Sequence, residues 1–337
     1  MKYLDITKYS SCGGWAGKLG PGALNDIMTK LPIQNNENLI CGFTHNEDAA
    51  VYKLKDELLI STLDFFSPNH HDPYTFGQIA AANSLSDVFA MGGEVMYALN
   101  ILAIPKELDS ELVAEILKGA IERVNLAGGV VVGGHTVEDT EIKYGLSVTG
   151  RVVNNLLTND KAKANMKIIL TKRIGTGIYN NEFKKDRLDV QEVVKSMTSL
   201  NNVPAHLFTK YGINACTDVT GFGLAGHLIE VMKASKVSAT LNMSKIPLFE
   251  RTMELADNTS GGMTRNILYF SENVTHNLTK KEQNIIFDPQ TSGGLLIFVD
   301  NELAEDMLKD LLDAGFKDST IIGSTVNKLD YDVLVVE

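Results

Sequence analysis

Asn83-Ser84-Leu85-Ser86-Asp87-Val88-Phe89-Ala90-Met91-Gly92-Gly93 closes a stretch, residues 75–91, whose spacing predicts a helix. Phe76, Ile79, Ala80 and Val88 fall on or near one apolar face. Asn83 lies four residues before Asp87, so both share a face. That lays a polar stripe on a helix otherwise rich in Ala, Leu and Phe. Such a stripe is either a face turned to solvent or the wall of a site.

Working outward, strands and helices alternate without low-complexity linkers. Residues 57–63 read as a buried strand ending at Asp64, and 94–104 as another strand. Asp109 or Ser110 can N-cap a helix carrying Leu112, Ile116 and Val124 that stops at Gly128-Gly129. Val130-Val131-Val132 follows as a buried strand, then a Gly133-Gly134 turn and a strand at 144–153. The polar stretch 154–166 is the best domain boundary, dividing the chain into 1–155 and 156–337. The second half reads as a strand at 167–171, a helix near 188–199, a strand at 214–217, a helix at 222–234 and a strand at 237–242. A strand at 294–299, a helix at 302–314 and strands near 319–326 and 332–336 complete it. This order gives α/β or α+β in two halves and chooses no topology.

The 337 residues suit two domains, and 44% hydrophobic with 22% charged residues is a soluble composition. The net charge of −11 argues against nucleic acid and anionic membrane as partners, since both need a basic face. It leaves room for a polyanionic ligand bridged by metal ions. The N-terminus has no apolar run fit for a signal peptide, and no stretch is long enough for a membrane span. Cys12, Cys41 and Cys216 have no CxxC spacing, which points to a reducing cytoplasm.

Four aspartates sit in apolar surroundings: Asp48, Asp64, Asp87 and Asp218. A buried carboxylate costs several kcal/mol unless paired or bound to metal. Lys and Arg are sparse near these four in sequence, so divalent cations are the natural counterions, Mg²⁺ together with phosphate oxygens above all. The plainer alternative makes each a cap or turn residue. Gly-Gly occurs six times, and Gly133-Gly134-His135-Thr136 is the pair placed best to cradle phosphate with backbone N–H groups and a hydroxyl. His135 reads as acid/base or structural, His227 as helix packing, and His70-His71 near Asp72 as a loop. The glycine-rich Ser11-Cys12-Gly13-Gly14-Trp15-Ala16-Gly17-Lys18 offers a mobile cation at Lys18, yet it is not a P-loop: Cys12 and Leu19 break that pattern.

Together these segments resemble the selenophosphate synthetase (selenide, water dikinase) family. The resemblance runs over nearly the whole chain, through Cys12 to Pro21, Glu47 to Tyr52, Ser61 to Phe66, Asn83 to Gly93, Gly133 to Thr136, Thr217 to Leu224 and Asp288 to Gly294. It implies an aminoimidazole ribonucleotide synthetase-like α+β fold. An N-terminal β-rich domain would pair strands across a homodimer into a β-barrel, and a C-terminal α+β domain would cover an ATP site. It implies conversion of selenide, ATP and water to selenophosphate, AMP and phosphate. By the same resemblance Asp48, Asp87 and Asp218 hold Mg²⁺, and Lys18 matches an essential lysine. Asp64, Asn83, Asp87 and 133–136 match nucleotide-site positions. K⁺ and a selenium-delivery protein are further expectations of the same kind. Residues 8–20 are expected to be mobile and to close over ATP.

One residue departs from the pattern. Three positions before the lysine the family places cysteine or selenocysteine, and this chain has Trp15, its only tryptophan. A thiolate or selenolate can carry selenium, and indole cannot. Three readings stay open. Trp15 stands in for selenocysteine, whose codon UGA is one base from UGG; or Cys12 substitutes as nucleophile; or the chain binds nucleotide without turning it over. A kinase or ligase of the same superfamily acting on another acceptor is the rival reading.

Overall fold

The computed structural model describes residues 5–11, 13–32, 36–42, 47–183 and 190–336. The strands of the first half are β1 (Leu39–Cys41), β2 (Ala50–Leu54), β3 (Glu57–Phe66), β4 (Gly93–Ile104), β5 (Val130–Glu138) and β6 (Lys143–Val152). They form one sheet in the order β1-β2-β3-β6-β4-β5. Only β4 and β5 pair in parallel, joined by a helical crossover. The second sheet holds β7 (Met166–Leu170), β8 (Ala215–Asp218), β9 (Val237–Asn242), β10 (Val274–His276), β11 (Leu295–Asp300), β12 (Thr320–Asn327) and β13 (Val333–Val336), in the order β10-β13-β9-β12-β7-β11-β8. The helices are α1 (Pro21–Met28), α2 (Pro73–Ala90), α3 (Ser110–Leu126), α4 (Thr176–Phe183), α5 (Gln191–Thr198), α6 (Ala205–Lys210), α7 (Gly223–Ser235), α8 (Thr252–Leu255), α9 (Gly261–Phe270), α10 (Lys280–Ile286) and α11 (Ala304–Asp313). The fold is mixed α+β, built as two sheets with helices against them.

Helix α2 is the centre of the molecule. Asp72 caps it by accepting from the Thr75 N–H at 2.8 Å, and Pro73 sits where a missing N–H costs nothing. Fifteen of its eighteen residues are buried. It therefore lacks one clear apolar face, because it packs on the first sheet, on α3, and on β8 and α5 of the second half. Small residues permit this. A Cβ on Gly77 would stand 1.9 Å from the Ile116 carbonyl, and one on Gly119 would stand 2.0 Å from that of Tyr74. The two glycines thus let α2 and α3 touch backbone to backbone.

A single core runs from Ile60 and Phe76 under the first sheet, through Leu85, to Leu170, Leu224 and Phe298 of the second. A smaller core with Leu207, Phe208, Ile297 and Leu311 fills the other face of the second sheet. Successive residues of β11 alternate between them, as period-2 geometry requires.

Two local expectations are corrected here. The segment read as a buried strand over 57–63 continues to Phe66, alternates between buried and exposed positions, and carries Asp64 within the strand. Residues 130–136 do not form a buried strand and a turn. Gly133-Gly134-His135-Thr136 lies inside β5, at the edge of the sheet and exposed. The glycines are needed for another reason: φ is +149° and +156°, and a Cβ on Gly134 would meet the Asn100 carbonyl at 2.3 Å. Val130 and Val132 are exposed and Val131 half-buried, and among the described residues β5 has a strand neighbour on one side only.

Candidate active site

Asp48, Asp64, Asp87 and Asp218 line one cavity of about 680 Å³ together with Lys18. Four separate elements deliver the carboxylates. Asp48 lies just before β2, Asp64 on β3, Asp87 on α2 and Asp218 at the end of β8. Each is held by a neutral donor rather than a cation. Thr217 Oγ1 donates to Asp48 at 2.8 Å, Asn83 Nδ2 to Asp64 at 2.7 Å, and Thr62 Oγ1 to Asp87 at 2.5 Å. Burial lifts all four carboxyls above the ordinary range, and repulsion from neighbouring aspartates adds to it at Asp48, Asp64 and Asp87. Asp48 and Asp87 rise furthest, Asp64 to about 7 and Asp218 to about 6, the last held down by Ser86, Lys18 and Lys172. Asp48 Oδ2 and Asp218 Oδ2 are buried with no hydrogen-bond partner.

Of the expected polar stripe on α2, Asp87 lines this cavity and Asn83 is buried behind Asp64, and neither faces solvent. Asn83 is its hub. Its Oδ1 accepts from the Trp15 indole Nε1–H at 2.9 Å and from the Ser292 amide at 3.0 Å, while its amide holds Asp64. Trp15 is 8% exposed and packs on Phe66 with ring centroids 5.8 Å apart. Lys18 places its Nζ 4.6 Å from the Trp15 ring and 4.4 Å from that of Phe222. The glycine-rich segment is thus seated over the cavity at one end. Cys12 lies outside the described residues.

Lys172 corrects the expectation that cations are sparse here. It follows β7, is 5% exposed, and donates from Nζ to the carbonyls of Ser199 at 2.8 Å and Ser292 at 3.0 Å. Burial pushes it down to about 7, with Asp218 pulling the other way. Asn201 adds a second tie, donating to Ser86 Oγ and the Gly293 carbonyl. Asp288 is a further buried carboxylate, but its work is structural: it accepts from the amides of Gly177 and Ile178 and so caps α4, with Gln290 beside it. His227 packs in α7 as read and also lines the cavity. His70 and His71 stack on each other in the loop before α2. Gly133, Gly134, His135 and Thr136 do not line the cavity within one chain.

Comparison with known proteins decides what this arrangement belongs to. Residues 46–152 match the N-terminal domain model of AIR synthase related proteins, and residues 163–336 match the C-terminal one. The chain is 46% identical over 333 residues to a selenide, water dikinase of Clostridioides difficile, covering 96% of each. It is 43% identical to that of Treponema denticola, covering 92% of this chain and 90% of the relative.

The chain belongs to the selenide, water dikinase family.

Solved structures carry the same fold at much lower identity. Thiamine monophosphate kinase of Aquifex aeolicus superposes with a TM-score of 0.67 at 18% identity, covering 93% of this chain and 96% of that one. The hydrogenase maturation protein HypE in complex with ATP gives 0.64 at 17%, covering 98% and 94%. No helix among the described residues is long and apolar enough to cross a membrane.

Proposed function

We propose that the chain transfers phosphorus from ATP to selenide, forming selenophosphate and, with water, releasing AMP and phosphate. Membership of the family supports the reaction. The observation that carries the site is the gathering of four carboxylates, Asp87 and Asp218 buried and Asp48 and Asp64 half-buried, two with unpaired oxygens, around one cavity beside Lys18.

Mg²⁺ fits these donors. Hard carboxylate oxygens suit it, and the orphaned oxygens of Asp48 and Asp218 lack any other partner. Among the described residues no ready-made cage of three or more ligands is present. Asp48, Asp87 and Asp218 would each supply oxygens, with phosphate and water completing the shell. A bound divalent ion would neutralise charge on the phosphates. Thr62, Asn83 and Thr217 keep the carboxylates aimed at the cavity, so little reorganisation is left for the reaction itself. Lys18 brings a cation over the same space, where phosphoryl transfer needs positioning and charge neutralisation. K⁺ joins this proposal on resemblance alone; equal turnover in Na⁺ removes it.

At position 15 we read the tryptophan as standing where a chalcogen nucleophile belongs. The chain as written and Trp15→Cys, assayed side by side for selenide-dependent AMP, test both parts. Turnover by the cysteine form alone supports the whole reading. Turnover by both moves the nucleophile to Cys12 or makes one unnecessary. ADP without selenide dependence favours a kinase on another acceptor.

A homodimer completes the proposal. Val130, Val132 and Val137 on edge strand β5 and Leu63, Phe65 and Leu99 on its sheet are large apolar side chains left exposed. Pairing there places 133–136 at the subunit boundary. Sedimentation at micromolar concentration should give twice the chain mass, and a strict monomer contradicts it.

A further inference from the structure

The ammonium of Lys18 lies between two aromatic faces, and the two differ in kind. Trp15 travels with the lysine on the same segment. Phe222 belongs to the body of the second half, in the tight turn between β8 and α7. It is therefore the fixed wall, and what fixes it is the ring behind it. Phe222 holds the N-cap position of α7 without a side-chain cap. His227, inside the helix, reaches back to it. The Phe222 amide N–H donates to His227 Nε2 at 3.3 Å, and Thr220 Oγ1 lies 3.2 Å from the same nitrogen. The imidazole also stacks on the Phe222 ring, centroids 5.4 Å apart and planes 29° from parallel. Phe270 closes the remaining side at 5.7 Å, edge to face.

An Nε2 that accepts a backbone N–H leaves the proton of the neutral ring on Nδ1. That nitrogen faces the Glu230 carboxylate at 3.5 Å. His227 is 6% exposed, and burial with Lys18 nearby pushes it down to about 3. A neutral ring with Nε2 already engaged is poorly placed to shuttle protons. It is well placed to hold a loop.

We propose that His227 is a positioning residue for Lys18, acting through the backbone and ring of Phe222 to fix where that cation stands over the cavity. The inference rests on the reading of Lys18 as the phosphate-directed cation. It does not depend on Trp15, since Phe222 and His227 stay in place whichever residue occupies position 15.

The test measures Lys18 directly. The full chain is labelled with trinitrobenzenesulfonate, and the rates at Lys18 and at the exposed Lys118 of α3 are followed by peptide mass mapping. His227→Phe keeps a ring against Phe222 and removes the acceptor. Lys18 labelling should rise about fivefold or more relative to Lys118. His227→Gln, whose amide oxygen reaches the place of Nε2, should return the ratio to within about twofold of the parent. If the Phe variant is insoluble, His227→Asn, too short to reach the Phe222 amide, takes its place. An unchanged ratio in the acceptor-less variant overturns the proposal, and so does a Gln variant as fast as it. A merely structural role would speed both lysines together. The ratio needs no selenide and no turnover, so a failure here is distinct from a failure of the proposed reaction. On the Trp15→Cys background the same acceptor-less variant should lower kcat about tenfold, with KM for ATP within about threefold.

Discussion

Asp218 shows what one residue does here: it ends β8, carries an orphaned oxygen, and lies within electrostatic reach of Lys18 and Lys172. Replacing it with asparagine removes one charge from a crowd of like charges. Asp218→Asn should make the metal-free protein more stable by up to about 3 kcal/mol at pH 8, since its carboxyl is raised from 3.8 to about 6 and each unit is worth about 1.4 kcal/mol. It should also abolish most of the stabilisation by Mg²⁺. Urea denaturation with and without Mg²⁺ measures both, and a variant stabilised by Mg²⁺ as strongly as the parent contradicts the assignment. The four aspartates were legible in sequence because a charge amid Leu, Val and Phe is anomalous whatever the fold. Lys172 and Asn201 were not. A Lys-Arg pair just past the end of a strand looks like surface, and only the approach of the 292–294 loop and the end of α5 encloses Lys172 and Asn201.

At the scale of elements, α2 was legible to within two residues of its ends, although burial on several sides leaves it without the single apolar face on which that reading leaned. The close approach of α2 to α3 was not, since a glycine in a helix does not say which backbone it faces. Gly77→Ala should destabilise the protein by about 2–3 kcal/mol, the range for overpacking, despite the better helix propensity of alanine. A neutral or stabilising result in urea would mean that the two helices can part without cost. The reading of 130–136 failed for a complementary reason. An apolar run is buried in most sheets, but β5 is an edge, and burial at an edge depends on a neighbour the chain alone does not supply. The short elements α1, α8 and α10 were missed because a helix of one or two turns has too few residues to show a period.

The whole molecule stores unfavourable charge in its centre and uses it. Burial raises Asp48, Asp64, Asp87 and Asp218, so the folded state binds more protons than the unfolded state near neutrality. Their contribution is harmless below about pH 4, where both states are protonated. It turns against folding as pH rises above about 4, where the unfolded carboxyls ionise, and the loss is complete above about 6 for Asp218 and about 7 for Asp64. Metal-free protein should thus lose Tm between pH 5 and pH 8 from this cluster. Mg²⁺ competes with those protons, so its Tm increment should be larger at pH 8 than at pH 5. Equal increments at the two values, read by scanning calorimetry, would place the metal elsewhere.

The most direct test of the central claim is ³¹P NMR of ATP, selenide and Mg²⁺ incubated with the Trp15→Cys protein. The account predicts a phosphorus resonance coupled to selenium, together with AMP and phosphate, and the loss of all three in Asp87→Asn. Formation of ADP with no selenium-coupled phosphorus would contradict it.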